Sequence, residues 1–541
     1  MDKSAASPPA ENQPPEFAPR DLWQDDAALR EAVTREGGAG HADRLAGYGA
    51  LAGGELLPLS ADAHRDRPRL RTHDRFGARI DVVEFHPHYH AIMQAAIEHG
   101  VAGLSWREAA PGAHVARAAL SYLHYQVEPG SSCPLTMTHA AVPVLRREPA
   151  LREWAEKATA PDYDGRNVPI ADKRGITLGM GMTERQGGSD VRANTTVASP
   201  LGDDGRYALT GHKWFFSAPM SDGFLVTAQA PGGLSCFLMP RWRPDGARNA
   251  FRLMRLKDKL GDWSNASSEV EFDGAFAWRV GEEGKGIATI IEMVMLTRLD
   301  CMLGSAGLVR MALAQALHHC RHRRAFGKPL LDQPLMRNVL ADLALEAEAG
   351  TAFAIRVAGA VDRALHDAHE AAFARIATAI GKFWICKRAP ALVNEAQECL
   401  GGNGYVEESL LPRLYRQAPL NSIWEGSANI QCLDVLRALA REPETGHALW
   451  QELAASAGRH DAYDALLDRL RPNLHGAAPV GEAGARGFVQ SLALALQAAI
   501  LLRAGNPVAA VFCASRLGTS RGAVLGTLEE DVAFEALIDR I

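Results

Sequence analysis

A carboxylate standing between an indole and a glycine is the first feature of this 541-residue chain that could do chemistry. In Ser422-Ile-Trp-Glu-Gly-Ser-Ala-Asn-Ile430, Glu425 is flanked by Trp424 and Gly426. Partial desolvation raises a carboxyl pKa, and a general base working near neutrality needs that rise. Four other segments carry groups that suit a ligand. Met182-Thr-Glu-Arg-Gln-Gly-Gly-Ser-Asp190 follows the strand-like GITLGMGM as a polar loop whose glycines let backbone N–H groups approach an anion or a ring edge. It is not a GxGxxG fingerprint, so a dinucleotide-binding βαβ fold is unsupported. Gly211-His-Lys-Trp-Phe-Phe-Ser217 is an aromatic strand ending in a hydroxyl, and Arg323-Arg-Ala-Phe-Gly-Lys-Pro-Leu330 puts guanidinium groups, the usual partners of pyrophosphate, at a helix end. Glu398-Cys-Leu-Gly-Gly-Asn-Gly-Tyr405 is a glycine-rich exit from a helix. Taken singly, these segments read as a surface turn, sheet packing, a solvated helix face and a helix stop.

The elements that must position them follow from periodicity. From about Asp21 to Lys173 the pattern is mainly helical, with apolar residues at three-to-four spacing in AALREAVTREG and EWAEKATA. Between about Gly175 and Val280 come short strand-like runs, RYALTG, GFLVTAQA, LSCFLMP and SSEVEF, divided by DDG, PGG and PDG turns. Helical periodicity returns near Gly286, in stretches long enough for a bundle. A further helical region follows Arg441, broken near HGAAPVGEAGARG. The expected fold is mainly α with a central β-barrel domain. Its units are a flexible tail (1–20), an N-terminal helical domain (21–174), the barrel (175–284), a helical bundle (285–440) and an additional helical domain (441–541).

Composition excludes several function classes. With 47% hydrophobic and 23% charged residues and a net charge of −6, no global positive field draws the chain to nucleic acid. Eight scattered cysteines without CxxC pairs argue against a disulfide framework and a zinc site. The polar, proline-rich start is no secretory signal, and the apolar run around Leu492 to Leu502 is too short to span a bilayer, so a cytoplasmic protein without membrane attachment is expected. His86, His88 and His90 alternate as on a strand, but Pro87 lies among them and no acidic or cysteine ligand is suitably spaced, so no metal is expected.

In their order, TERQGGSD, KWFFS, the Lys259 to Gly261 KLG segment, RRAFGKPL, LGGNGY and SIWEGSANI resemble the signature segments of acyl-CoA dehydrogenases over residues of about 50 to 440. The Arg-Gln variant of the first motif, the Trp-Glu-Gly form of the last and the added C-terminal helices make the whole chain similar to the AidB group of bacterial adaptive-response flavoproteins. The resemblance implies noncovalent FAD and a homotetramer built as a dimer of dimers. It places Met182, Thr183, Gly188 and Ser189 around the flavin, Phe215 and Phe216 near the ring, and Ser217 at its N5/O4 edge. It sends Arg323, Phe326 and Gln333 to FAD across a subunit interface, and Gly401 and Gly402 to a neighbouring adenosine. Ile423, Trp424, Ser427 and Asn429 complete the cofactor set.

By the same resemblance Glu425 removes the α-proton of an acyl thioester, with Ser189 and Arg298 on the substrate side. Four positions depart from the family pattern. Arg185 and Gln186 replace Pro-Gly, Phe215 stands for a tryptophan, and Trp263 for an arginine. The resemblance further implies a role in the response to alkylating agents, with double-stranded DNA bound by the C-terminal region and a weak, isovaleryl-CoA-like dehydrogenase activity. Residues 441–541 carry nine arginines and no lysine against twelve acids, so phosphate binding there requires clustering, for which Arg437, Arg516 and Arg521 are the candidates. The alternatives are a metabolic dehydrogenase for a short or branched acyl-CoA with no DNA role, and an acyl-CoA oxidase.

Overall fold

The structure is a computed structural model, and it describes residues 11–518 and 522–541. Among the described residues, eight α-helices between Ala27 and Thr159 make up the N-terminal region, with a two-stranded hairpin set among them, so it is only in part as periodicity suggests. The helices Ala113–Val127 and Pro129–Arg146 are buried on nearly every face, which removes the amphipathic stripe. Within the stretch expected to be helical, β1 (Arg69–His73) and β2 (Arg79–Glu84) form an antiparallel hairpin. The three histidines after it begin a helix, Pro87–His99, instead of extending the strand. Proline at its first turn fixes the helical φ, and the His86 ring accepts the His88 N–H as a cap. From Asn12 the expected tail lies against the bundle: Asn12 pairs with the Arg324 backbone, and the Phe17 ring packs edge-on against His318.

The middle of the chain closes a ring. Strands β3 (Leu178–Gly181), β4 (Val197–Pro200), β5 (Arg206–Ser217), β6 (Gly223–Ala230), β7 (Gly233–Pro240), β8 (Phe251–Leu256) and β9 (Ser267–Val280) form one sheet. Its order β6-β4-β5-β9-β7 returns to β6 through the tight β6–β7 hairpin, and β3 and β8 flank the ring. Closure leaves the five ring strands without free edges. Phe216, Phe224, Phe237, Phe251 and Phe272 fill the interior. Strand β3 falls in the strand-like GITLGMGM run, whereas the short β4 and β8 are visible only in three dimensions.

Three long helices, Gly286–His322, Pro334–Arg363 and Ala368–Glu398, form the bundle. The helices after it do not make a separate core. Ala485–Arg503 packs on the second and third bundle helices, and one apolar cluster runs from Leu22 through the bundle to Ile538. The helical span Glu482–Arg503 is long and apolar enough to cross a membrane and is mostly buried inside the protein. Buried ion pairs pin the C-terminal region as well: Arg356 and Arg503 share Glu452, and Arg540 holds Glu348.

Candidate functional site

Where the barrel meets the bundle, a cavity of about 670 Å³ opens, and Glu425 is on its wall. The turn that carries Glu425 is strained. Glu425 has φ of 58° and Gly426 follows at 89°, so two consecutive residues sit in the left-handed region. What holds this turn is visible in its carbonyls. Lys382, 1% exposed, donates its three N–H groups to the carbonyls of Asn421 (3.0 Å), Trp424 (2.9 Å) and Gly426 (2.8 Å). Arg298 Nε donates to the Glu425 carbonyl at 3.1 Å, and Gln431 Nε2 donates to the carbonyls of Glu425 and Gly426. With its carbonyls gathered on one side, the turn leaves the Glu425 N–H without a protein acceptor among the described residues.

The carboxylate itself meets Thr297, whose Oγ1 lies 2.7 Å from Glu425 Oε2 and 2.9 Å from the Val294 carbonyl. One hydroxyl therefore suits both protonation states. It donates to the carboxylate, or it accepts from the carboxylic acid while donating to Val294. Burial pushes the Glu425 carboxyl above its usual range, opposed by the Thr297 hydrogen bond and the charges of Lys382 and Arg298. The shift is in the direction a base near neutrality requires.

The barrel side of the cavity is shaped by an irregularity. The β5–β9 register shifts between Lys213 and Phe216. The shift turns Phe215 outward, 54% exposed on the cavity, and Phe216 inward, fully buried. Phe216 is thus corrected from a cofactor contact to a barrel-core residue. Met182, Thr183, Gly188, Ser189 and Ser217 line the same cavity, as do Ile423, Trp424 and Ser427. Gly188 folds back so tightly that a Cβ there would come within 2.4 Å of Thr183 Oγ1. The loop is pinned from beneath by Glu184, which pairs with Lys213 at 2.8 Å and accepts the N–H groups of Thr195 and Thr196.

Other expected site residues lie elsewhere. Arg298 lines the cavity, but its guanidinium is taken by Asp434 (2.8 Å) and the Glu425 carbonyl, so it positions the turn and is corrected from a substrate ligand. None of Arg323, Phe326 and Gln333 lines the cavity: Phe326 tips an exposed hairpin, 97% exposed at φ 52°, while the half-buried Arg323 and Gln333 flank it, Gln333 bonded to the Ala325 carbonyl. Gly401 and Gly402 form an exposed turn after the third bundle helix. Asn429 is exposed and accepts from Arg486. Arg437 reaches the cavity rim. Arg516 is corrected outright as a DNA candidate: it is bound to Asp342 and Glu346, both buried. Arg521 lies outside the described residues. Motif reading missed Thr297 and Lys382; the one signal was a lone lysine inside the apolar run AIGKFWIC.

A helical bundle on a closed barrel, with a strained, desolvated glutamate between them, defines an acyl-CoA dehydrogenase-type oxidoreductase. The comparisons agree, and the chain belongs to the acyl-CoA dehydrogenase family. Residues 179–275 match the middle domain of that family, 284–440 its C-terminal domain, and 12–165 the adaptive response protein AidB N-terminal domain. Over 97% of both chains it is 48% identical to the acyl-CoA dehydrogenase-like AidB of Escherichia coli (strain K12). Among solved structures, Caenorhabditis elegans ACDH-11 in complex with C11-CoA superposes with a TM-score of 0.88 at 26% identity, covering 96% of this chain and 95% of that one. The apo form of Bd2924 gives 0.81 at 28% identity, covering 91% and 99%.

Members of this family are FAD-dependent flavoproteins, and so is this chain. The residues present fit that cofactor. The exposed faces of Phe215 and Ile423 line one cleft together with the Thr183, Ser189 and Ser217 hydroxyls, which gives a planar ring apolar cover and polar edges at once.

Proposed function

We propose that the protein oxidises an acyl-CoA thioester, with Glu425 as the base that removes the α-proton. The observation that carries this reading is the Glu425 turn: a carboxylate raised by burial, steadied by Thr297, and held at the cavity by carbonyls tied to Lys382, Arg298 and Gln431. An α-C–H beside a thioester is a weak acid, so the developing enolate oxygen needs a donor as the proton leaves. The Glu425 N–H is suited to that task, because the turn gives it no acceptor of its own. FAD, when bound, supplies the acceptor for the β-hydrogen with its electron pair. Met182, Thr183, Gly188, Ser189, Phe215, Ser217, Ile423, Trp424 and Ser427 would hold it. The exposed Phe326 hairpin and the Gly401–Gly402 turn, neither of which lines this chain's own cavity, suit contacts to a second copy in a homotetramer.

Anaerobic mixing of the yellow protein with a series of acyl-CoA thioesters tests the reading. Bleaching of the visible flavin band is expected, and its disappearance in Glu425→Gln. Equal bleaching in that variant would remove Glu425 from the reaction.

The match to the AidB N-terminal domain favours a second role, in the response to alkylating agents, in which the same site runs slowly on a branched, isovaleryl-CoA-like substrate while the protein binds double-stranded DNA. With Arg516 occupied, phosphate contacts would fall to the exposed Arg437 and its neighbours. Salt-dependent retention on duplex DNA that weakens in Arg437→Ala supports that role, and no retention at low salt removes it.

A further inference from the structure

Beyond the base, one end of the cavity is walled by hydroxyl groups whose protons are all directed away from it. Ser132, Cys133, Thr136 and Met137 form one stripe of the Pro129–Arg146 helix and line the cavity together with Tyr125 and Asp300. Thr136 Oγ1 donates to Asp300 Oδ2 at 2.5 Å. Asp300 can only accept there, because Arg117 grips both of its oxygens. Ser132 Oγ donates to the Glu128 carbonyl at 3.3 Å, which is likewise only an acceptor.

Tyr125 is oriented through Asn421. The Asn421 side-chain amide N–H groups point to the Cys301 carbonyl (3.4 Å) and Ser305 (3.1 Å), so its oxygen faces the other way. That oxygen accepts from Trp424 Nε1 at 2.9 Å and from the Tyr125 hydroxyl at 3.2 Å. Each of the three hydroxyls thus keeps only lone pairs free. A wall of this kind is an acceptor surface, and a ligand that brings no donor leaves it unmatched in a desolvated place.

We infer that the substrate is an acyl-CoA whose chain carries a hydroxyl group, which donates to Thr136 Oγ1 and its neighbours while the methylenes lie on Cys133 and Met137. The inference rests on the acyl-CoA reading above and narrows its substrate class. The position along the chain follows from the Gly286–His322 helix. Asp300, to which Thr136 is bound, stands about one turn, roughly 5 Å, beyond Thr297, which touches the base. The hydroxyl therefore belongs several bonds past the α-carbon and not on the carbons that react.

The test titrates the anaerobic holoprotein with hexanoyl-CoA and with 5-hydroxyhexanoyl-CoA. Perturbation of the visible flavin band reports binding and its bleaching reports oxidation. The hydroxylated thioester is expected to half-saturate at a concentration about tenfold lower, the worth of one buried hydrogen bond. Thr136→Val and Ser132→Ala should each bring the ratio towards one, with Tyr125→Phe as the substitute if Thr136→Val does not fold. Equal or weaker binding of the hydroxylated compound, or a preference that survives the three substitutions, overturns the inference. The two readings fail separately: oxidation of both compounds at equal half-saturation removes the hydroxyl preference alone, whereas tighter binding of the hydroxylated compound without bleaching removes the dehydrogenase reading alone.

Discussion

Two glutamates, Glu184 buried and Glu425 half-buried, each with a buried lysine at hand, are pushed in opposite directions by the same pair of residue types. In the barrel, Lys213 donates directly to Glu184 at 2.8 Å, and Thr195 and Thr196 add their N–H groups. That carboxyl is held well below the usual range by these hydrogen bonds, despite the burial that opposes them, and burial lowers Lys213 to about 8. In the bundle, Lys382 gives every N–H to main-chain carbonyls and acts on Glu425 only through space. Burial then wins and Glu425 rises. A direct ion pair makes a structural pin that stays ionised. A lysine held off by carbonyls shapes the turn and leaves a carboxyl free to exchange protons.

The contrast can be broken most sharply at the base. Glu425→Gln should slow anaerobic flavin bleaching by about 10³-fold, within the range general-base removal gives, while the melting temperature changes little or rises, since a desolvated carboxyl is replaced by a neutral amide. An unchanged bleaching rate would falsify the role of Glu425. Glu184→Gln should do the reverse. It leaves Lys213 buried without its counter-charge and costs about 3–5 kcal/mol in denaturant unfolding, with the pH dependence of bleaching in surviving holoprotein unmoved. If that variant is as stable as the native protein, the pin is misassigned.

Lys382→Met combines both effects on a smaller scale. Three carbonyls lose their donor, so stability should fall by about 2–4 kcal/mol. The acid limb of the bleaching profile should also move to higher pH, because the positive charge that opposed the rise of Glu425 is gone. A limb that stays in place would show that the lysine acts on shape alone. Thr297→Val is the mildest case. Loss of the one hydrogen bond that favours the ionised form should move the same limb upward by up to about one pH unit, with less than about 1.5 kcal/mol of stability change. A limb that moved downward in either variant would contradict the assigned causes. In the native protein the limb itself is expected above the ordinary carboxylate range, activity being lost as pH falls through the raised Glu425 value.

The segments that could be read in the chain are those where local physics decides. The short strand-like runs RYALTG, GFLVTAQA, LSCFLMP and SSEVEF, divided by turn residues, mark four of the barrel strands, and the long apolar periodicities mark the three bundle helices. The hairpin Arg69–Glu84 escaped because RLRTH and RIDVVE carry too many charges on an exposed strand pair. The histidine run was misread because alternation over five residues cannot outweigh a proline that starts a helix.

Residue type and order determined the layered plan, the strand-and-helix division and the candidacy of Glu425, since these depend on neighbours a few positions away. Only the tertiary structure decided which of two adjacent phenylalanines faces the cavity, that Arg516 serves the fold, and that Lys382 reaches across to carbonyls of residues 421–426. Those outcomes depend on a register shift and on partners between about 40 and 170 residues distant, and the free energy of an ion pair or a buried face is set by what arrives there in space.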